Sequence, residues 1–402
     1  MENAYHKWVR IAIFNLFLVA LLGFIMRYKI VYPLPWVHQK HVLHAHSHFA
    51  FSGWITQLLM VFLVSCLQEK EQALRRYEPI LKANLFTAYG MLLSFPFQGY
   101  GLISISFSTL SILVSYWFAW KFWKDANRQL LPAANWFKAA LFFLVISSFG
   151  AFGLSVMMAN HWINQQWYLA AVYFFLHFQY NGWFFFACMG LLFTMLRRYV
   201  PLLKYEQRIF MLFVCACLPA YCLSVLWLSL PLWVYIAVAI AATAQVIGCF
   251  YLWKIIIAHK NHFTIQWPIM AQRTGLLALL ALTIKLLLQV FSTIPSLSDL
   301  AFGFRPIVIG YLHLVLLGII SLFLLTVLLV FTKQQSLPLM RKGVTVFVSS
   351  ILLNEVLLML QGICAMAYIS VPGIQELLLL VALGLLTGAA MIFFGYRKPV
   401  YA

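Results

Sequence analysis

Histidines are the residues of this sequence whose type and spacing best suit redox or metal chemistry. Three of them lie two residues apart, at His44, His46 and His48, and two more, His177 and His313, stand alone inside long apolar stretches. A neutral imidazole is a common ligand of zinc, copper and haem iron, so these five side chains are the first candidates for binding a metal or cofactor. On a helix, His44 and His48 share one face and His46 points nearly the opposite way, because each residue turns by ~100°.

The elements that must position these histidines are membrane helices. Of the 402 residues, 64% are apolar and only 9% are charged, whereas soluble domains have roughly 25% charged residues. The long apolar runs lack two-residue alternation, which favours helices over barrel strands. The sequence therefore predicts an all-α polytopic membrane bundle of about twelve transmembrane helices, forming a single integral membrane domain over residues 1–402. The expected spans are approximately 9–27, 44–67, 81–98, 101–123, 137–159, 168–195, 209–228, 231–256, 274–294, 307–330, 343–364 and 374–396.

Basic residues determine the expected orientation of this bundle. The two termini and the loops after spans 2, 4, 6, 8 and 10 contain 22 of the 27 Lys and Arg, whereas the opposite loops contain four. By the positive-inside rule, both termini face the cytoplasm, as expected for a protein of the cytoplasmic (inner) membrane. This loop topology and anionic lipid explain the net charge of +18, so the lipid bilayer is an expected partner and nucleic acid is not.

Other polar side chains are expected at the depth of the buried histidines. Lys285 and Gln289 in span 9, and Asn354 and Glu355 in span 11, interrupt apolar segments. Polar groups inside a membrane are energetically expensive and usually face an interior site, so a proton or polar pathway through these residues is one interpretation. The alternatives are that Lys285 extends toward the interface, or that it forms a purely structural pair with Glu355. The histidines could likewise be interfacial or packing residues.

Two motifs resemble the catalytic subunit (subunit I) of the haem–copper oxidase and nitric-oxide reductase superfamily. Span 10 contains the run from His313 to Gly318, His-Leu-Val-Leu-Leu-Gly, and span 2 has His44 with Gly53 nine residues later. This resemblance implies the superfamily's twelve-span fold and a low-spin haem b bound by His44 and His313. The propionates of such a haem are expected toward the outer surface, within reach of Arg305, Arg27 or Lys40.

The other two histidines of span 2, His46 and His48, remain open as alternative ligands in place of His44. The sequence has no Cys-x-x-Cys-His motif for covalent attachment, so the haem is expected to be noncovalent.

The superfamily's second metal site is incomplete in this sequence. His177 and Gly182 are similar to the span-6 motif, and Asn181 replaces the glutamate of the reductases. Span 7 has no histidine pair, and Tyr311 replaces the first histidine of the span-10 motif. His177, Tyr180, Asn181 and Tyr311 are therefore candidates for a second site. Copper or non-haem iron is not expected there, because such sites usually need three or four protein ligands.

Three classes of function follow from these patterns. The first is a membrane haem protein for electron transfer, or an oxidoreductase related to terminal oxidases, with a quinone, an external electron donor or a partner subunit as its redox partner. The second is a solute or ion transporter without haem that uses Lys285, Gln289 and Glu355 near the midplane. The third is a haem-binding or metal-binding membrane protein of the nitric-oxide stress response.

Overall fold

A computed structural model describes residues 3–162, 164–200, 203–228, 230–294, 304–332 and 338–396. Over these ranges the secondary structure is helical, with no β-strand. The two chain ends used to predict orientation, residues 1–2 and 397–402, lie outside the described residues. In chain order the helices are α1 (Ala4–Val31), α2 (Gln39–Val64), α3 (Lys70–Gln98), α4 (Leu102–Arg128), α5 (Ala134–Ala159), α6 (165–196), α7 (Glu206–Cys217), α8 (Leu232–Ala258), α9 (Lys260–Gln266), α10 (Ile269–Phe291), α11 (305–332), α12 (Pro338–Met366) and α13 (Ile374–Gly395).

Nine helices in the described part of the chain are long and apolar enough to cross a membrane. A tenth span is present if α7 and the 3₁₀ helix Pro219–Val225 that follows it, bent by 47°, are one span. The bend lies at Pro219, because a proline has no N–H for the helical hydrogen bond. The prediction of a polytopic helical membrane protein is therefore confirmed.

Two of the predicted spans match neither these nine helices nor the bent pair. The predicted span 81–98 lies within α3, which begins at Lys70 and includes polar residues such as Lys82 and Asn84. The predicted span 168–195 coincides with α6, in which the π-helical segment Phe178–Phe184 separates two shorter α-helical parts.

The described helices belong to two compact units. The first unit comprises Met1–Gln129 and Leu324–Ala402. In it, α13 packs on both α12 and α1, α2 packs on α1 and α3, and α4 packs on α3. Close approach of α12 and α13 depends on Gly388, where an added Cβ would lie 2.7 Å from the backbone nitrogen of Phe347. Small residues of this kind allow membrane helices to pack backbone against backbone.

The second unit is Leu130–Phe323. Here α5 packs on α6, α8 packs on α7 and α10, and α10 packs on the part of α11 that follows His313. The histidine-bearing helices α2 and α11 are buried over 83% and 72% of their most apolar windows, against at most 44% for the other candidate spans. The histidines of α2 and α11 therefore lie on the two candidate spans with the highest burial among the described helices.

Candidate functional site

Each helix that carries a candidate histidine contains a π-helical segment close after that histidine. The segments are Ala50–Thr56 in α2, Phe178–Phe184 in α6 and Leu314–Ser321 in α11. π-helical turns are rare in proteins and are found frequently at functional sites. Three of the described helices thus have the same local distortion, and in each it lies next to a candidate histidine.

Buried amides on neighbouring helices hold the π segment of α2. Asn84 of α3 donates a hydrogen bond through Nδ2 to the Ser52 carbonyl oxygen at 3.0 Å. Asn15 of α1 donates through Nδ2 to the Gly53 carbonyl oxygen at 2.6 Å, and its Oδ1 accepts from the Tyr89 hydroxyl at 2.6 Å. Both asparagines are fully buried. These contacts fix the orientation of α2 immediately after its three histidines.

His46 packs against α1. Its Nδ1 lies 3.1 Å from the Val19 carbonyl oxygen. A carbonyl oxygen only accepts, so Nδ1 carries the proton and, in the neutral ring, Nε2 carries the lone pair. The ring reaches α1 because Gly23 has no side chain, and an added Cβ there would lie 3.4 Å from His46 Cε1.

His44 and His48 lie on the opposite face of α2, near the end of α3. The His48 ring stacks on Phe95 at a centroid distance of 4.5 Å, and its Nε2 is 3.1 Å from the Tyr100 hydroxyl. The His44 ring contacts the Tyr100 ring at 4.5 Å, and no hydrogen bond joins it to a residue that the structure describes. The three histidines of α2 therefore have different environments, which the sequence alone left open.

His313 of α11 is held by its own helix. Its Nδ1 lies 2.8 Å from the Ile309 carbonyl oxygen, one turn earlier. As for His46, the acceptor is a carbonyl oxygen, so the neutral ring carries its proton on Nδ1 and its lone pair on Nε2. Arg305 is exposed in the first turn of the same helix, roughly 12 Å from His313 along the axis at the usual rise per residue.

His177 is buried in the second unit, with an exposed fraction of 1%. Its Nε2 donates to the Cys217 carbonyl oxygen at 2.9 Å, and its Nδ1 accepts from Asn181 Nδ2 at 3.1 Å. Both ring nitrogens are therefore used, and the neutral ring in this arrangement presents no lone pair to a metal. Among the described residues, no group of three or more His, Cys, Asp or Glu has the spacing of a metal site.

The two candidate tyrosines lie near the same part of the second unit. The Tyr180 hydroxyl forms a hydrogen bond with Ser224, and Tyr180 interacts electrostatically with Tyr311. The π segments of α6 and α11 also contact each other. Tyr180 and Tyr311, which the sequence had placed in a second site with His177 and Asn181, therefore lie within range of an electrostatic interaction.

Lys285 of α10 lies close to this cluster. It is buried, with an exposed fraction of 4%, and interacts electrostatically with His177, Cys217 and Cys249. Within the second unit, no hydrogen bond or ion pair joins it to a described residue. One turn later, Gln289 is also buried, and its Oε1 has no hydrogen-bond partner among the described residues. Among the described residues of the second unit, neither the amino group of Lys285 nor the Oε1 atom of Gln289 therefore has a hydrogen-bond partner.

The other two residues of the predicted polar pathway belong to the first unit. Asn354 Nδ2 donates to Glu355 Oε1 at 3.2 Å on α12. Asn354 is buried and Glu355 is half-buried. The neighbouring amide therefore provides one partner for the Glu355 carboxyl group.

Three other buried amides of the first unit were not selected from the sequence. Asn15, Gln57 and Asn84 are fully buried. Asn84 Nδ2 lies 2.7 Å from Gln57 Oε1, and Asn15 contacts the backbone of the same π segment at Gly53. Each of the three interrupts an apolar segment, and polar residues in such segments usually mark an interior contact. The sequence therefore contained a reason to select these three residues. It did not indicate that they lie close to the same π segment.

Comparison with known proteins finds no family model that matches the sequence and no curated protein that matches it. Family membership is therefore not shown for this chain. Inference about function depends on the side chains described above and on the two histidine motifs.

Proposed function

We propose that the protein is a membrane haem protein that transfers electrons, built on the twelve-span fold of haem–copper oxidase subunit I. It binds a noncovalent haem b through two neutral imidazoles, one from α2 and one from α11, in a cytoplasmic membrane with both termini in the cytoplasm. A haem bound in this way supplies one-electron oxidation and reduction. Two imidazole ligands would leave the iron without an open position for a gas.

The hydrogen bonds at His46 Nδ1 and His313 Nδ1 carry this proposal. Histidines that ligate metals almost always donate their other ring N–H to a carbonyl, a carboxylate or water, which sets the tautomer and the orientation of the ring. Both rings have this arrangement, with the Val19 and Ile309 carbonyl oxygens as acceptors. In this arrangement the lone pair of each neutral ring is on Nε2, which is the atom through which each imidazole would hold the iron.

The side-chain geometry favours His46 over His44 as the ligand from α2. His44 best matches the span-2 motif, yet no hydrogen bond to a described residue orients its ring, which packs against Tyr100. His48 uses Nε2 in its contact with the Tyr100 hydroxyl. We therefore assign His46 and His313 as the axial ligands, keep His44 as the alternative, and assign Arg305 to the propionates, since a guanidinium pairs well with carboxylates.

The surroundings of His177 support electron transfer rather than reduction of oxygen or nitric oxide. Both of its ring nitrogens are engaged within the protein. A dinuclear centre of the superfamily type would require His177 to give up one of these bonds. Electrons reach and leave the protein through a quinone or an external donor, directly or through a partner subunit.

Reduced-minus-oxidised absorbance spectra of detergent-purified variants test the ligand assignment. His313→Gly and His46→Gly should lose the low-spin haem signal, and added imidazole should restore it, because the free base occupies the position of the deleted ring. His44→Gly is the matched control on the same helix and should keep the wild-type spectrum. Wild-type spectra in both His313→Gly and His46→Gly would show that the ligands are wrong.

A transporter without haem is the second candidate, and the buried Lys285 favours it. An ammonium group at this depth needs an anionic or carbonyl partner, and the described residues of its unit do not provide one. A substrate could be that partner. This function predicts a colourless protein in which Lys285→Met abolishes transport, whereas the haem proposal predicts that Lys285→Met leaves the haem spectrum in place.

A further inference from the structure

A groove of about 730 Å³ lies between α7 and α8 in the second unit. Its lining includes small side chains on both helices: Cys215 and Ala216 on α7, and Ala241 and Ala244 on α8. Small side chains at these positions leave space between the two helices. The volume falls within the ~300–1,000 Å³ of small-molecule sites.

Large apolar side chains form the walls of the groove, and the groove opens to the outside of the chain. The wall residues Met211, Ile240 and Ile247 are 47%, 64% and 43% exposed. α8 has no charged residue from Leu232 to Tyr251. The body of the groove therefore suits a flexible apolar chain.

One end of the groove is basic and aromatic. Arg208 and Tyr251 line this end. The Tyr251 ring stacks on Tyr205 at a centroid distance of 4.9 Å. Lys254 Nζ lies 5.8 Å from the Tyr251 ring centroid, and Lys204 Nζ lies 5.5 Å from the Tyr205 ring centroid. Two lysines therefore lie near the two tyrosines, and Arg208 lines the same end of an otherwise apolar groove.

These cations are available for an anion. The acidic residue that begins α7, Glu206, pairs with Arg197 at 2.9 Å. Arg208, Lys204 and Lys254 form no ion pair with any residue that the structure describes. The positive-inside rule predicts that this end lies at the cytoplasmic face.

We infer that the groove between α7 and α8 binds an anionic phospholipid, with one acyl chain along the groove and the phosphate at Arg208 and Lys254. The stretch of α8 from Ala237 to Tyr251 is roughly 21 Å long, which exceeds half of a ~30 Å hydrocarbon core. An apolar groove is as favourable for one lipid tail as for another. The cations therefore provide the selectivity, as in other basic pockets between transmembrane helices.

Native mass spectrometry of the purified full-length protein tests this site, with phosphatidylglycerol and phosphatidylcholine of identical chains as probes. The wild type should bind phosphatidylglycerol in preference to phosphatidylcholine. Arg208→Gln combined with Lys254→Gln should bind phosphatidylglycerol about thirtyfold more weakly, as expected for the loss of two cations at a lipid surface. Arg273→Gln, which changes an exposed arginine on α10, is the matched control and should bind as the wild type does.

A second pair of variants tests the groove itself. Cys215→Trp should fill the groove and reduce phosphatidylglycerol binding, whereas Thr243→Trp, on an exposed face of α8, should not. The wild type also contains its own probe, because Cys215 is exposed and should be alkylated more slowly in phosphatidylglycerol nanodiscs than in phosphatidylcholine nanodiscs. Three results would each overturn the proposal. The two lipids could bind equally, the Arg208/Lys254 variant could bind as the wild type does, or a second copy of the chain could protect Cys215 in neutral lipid.

Discussion

Replacing Asn15 by alanine should destabilise the first unit by removing the contacts that hold the π segment of α2. Asn15 Nδ2 donates to the Gly53 carbonyl oxygen, and Asn15 Oδ1 accepts from the Tyr89 hydroxyl, each at 2.6 Å. The Asn15 side chain is fully buried, so water does not replace it readily. Asn15→Ala therefore removes both hydrogen bonds and leaves a small void between α1, α2 and α3.

The size of the effect follows from these two hydrogen bonds. Each neutral bond contributes ~1 kcal/mol net, so Asn15→Ala should lower the free energy of unfolding by about 2–3 kcal/mol once lost packing is added. Tyr89→Phe removes only the second bond and should cost about 1 kcal/mol. Because this bond is shared, the double variant should be less destabilised than the sum of the single variants, by ~0.6–1.7 kcal/mol.

Unfolding by sodium dodecyl sulfate in mixed micelles measures all four free energies of the cycle. Asn160→Ala is the matched control, because Asn160 is an exposed asparagine at the end of α5 and its loss should change stability by less than about 0.5 kcal/mol. Strictly additive effects of Asn15→Ala and Tyr89→Phe would show that the two side chains do not interact. An Asn15→Ala variant as stable as the control would refute the role assigned to the buried amides.

Three further predictions concern topology, metal content and turnover. A reporter fused after Ala402 should be cytoplasmic and a tag in the loop 160–167 should be external, and an external C-terminus would reverse the predicted orientation. Metal analysis of the purified protein should find no stoichiometric copper or non-haem iron, because both ring nitrogens of His177 are engaged. One such ion per chain that is lost in His177→Ala would contradict this assignment. With artificial donors, the protein should reduce neither oxygen nor nitric oxide at an appreciable rate, and turnover lost in His177→Ala would show a working second site.

The membrane helices could be predicted because apolar composition determines them directly. The predicted span 231–256 corresponds to α8, and the predicted span 374–396 corresponds to α13. In both, a long uncharged segment is bounded by polar or turn residues, so the sequence pattern and the structure agree. Two other helices were harder to predict from hydropathy. The bend at Pro219 interrupts the apolar segment that begins in α7, and polar residues lower the mean hydropathy of the first half of α3.

The details of the candidate site depend on packing and could not be predicted. The sequence predicted that His46 lies on the face of α2 opposite His44. It did not predict the hydrogen-bond partner of His46, which is the backbone carbonyl group of Val19 on α1. A carbonyl oxygen leaves no sequence signal, whatever residue carries it. The π segments also have no recognisable sequence pattern. The polar residues Asn15 and Asn84, however, indicate positions at which two neighbouring helices donate hydrogen bonds to α2.

The haem content of the purified wild-type protein tests the central proposal most directly. A pyridine haemochrome spectrum, together with the dithionite-reduced spectrum, should give about one haem b per chain with the sharp bands of a low-spin iron with two imidazole ligands. The predicted result includes no band from a high-spin or gas-binding haem. A protein that is colourless as purified, and stays colourless after incubation with haemin, would contradict the proposal and leave the transporter function as the better one.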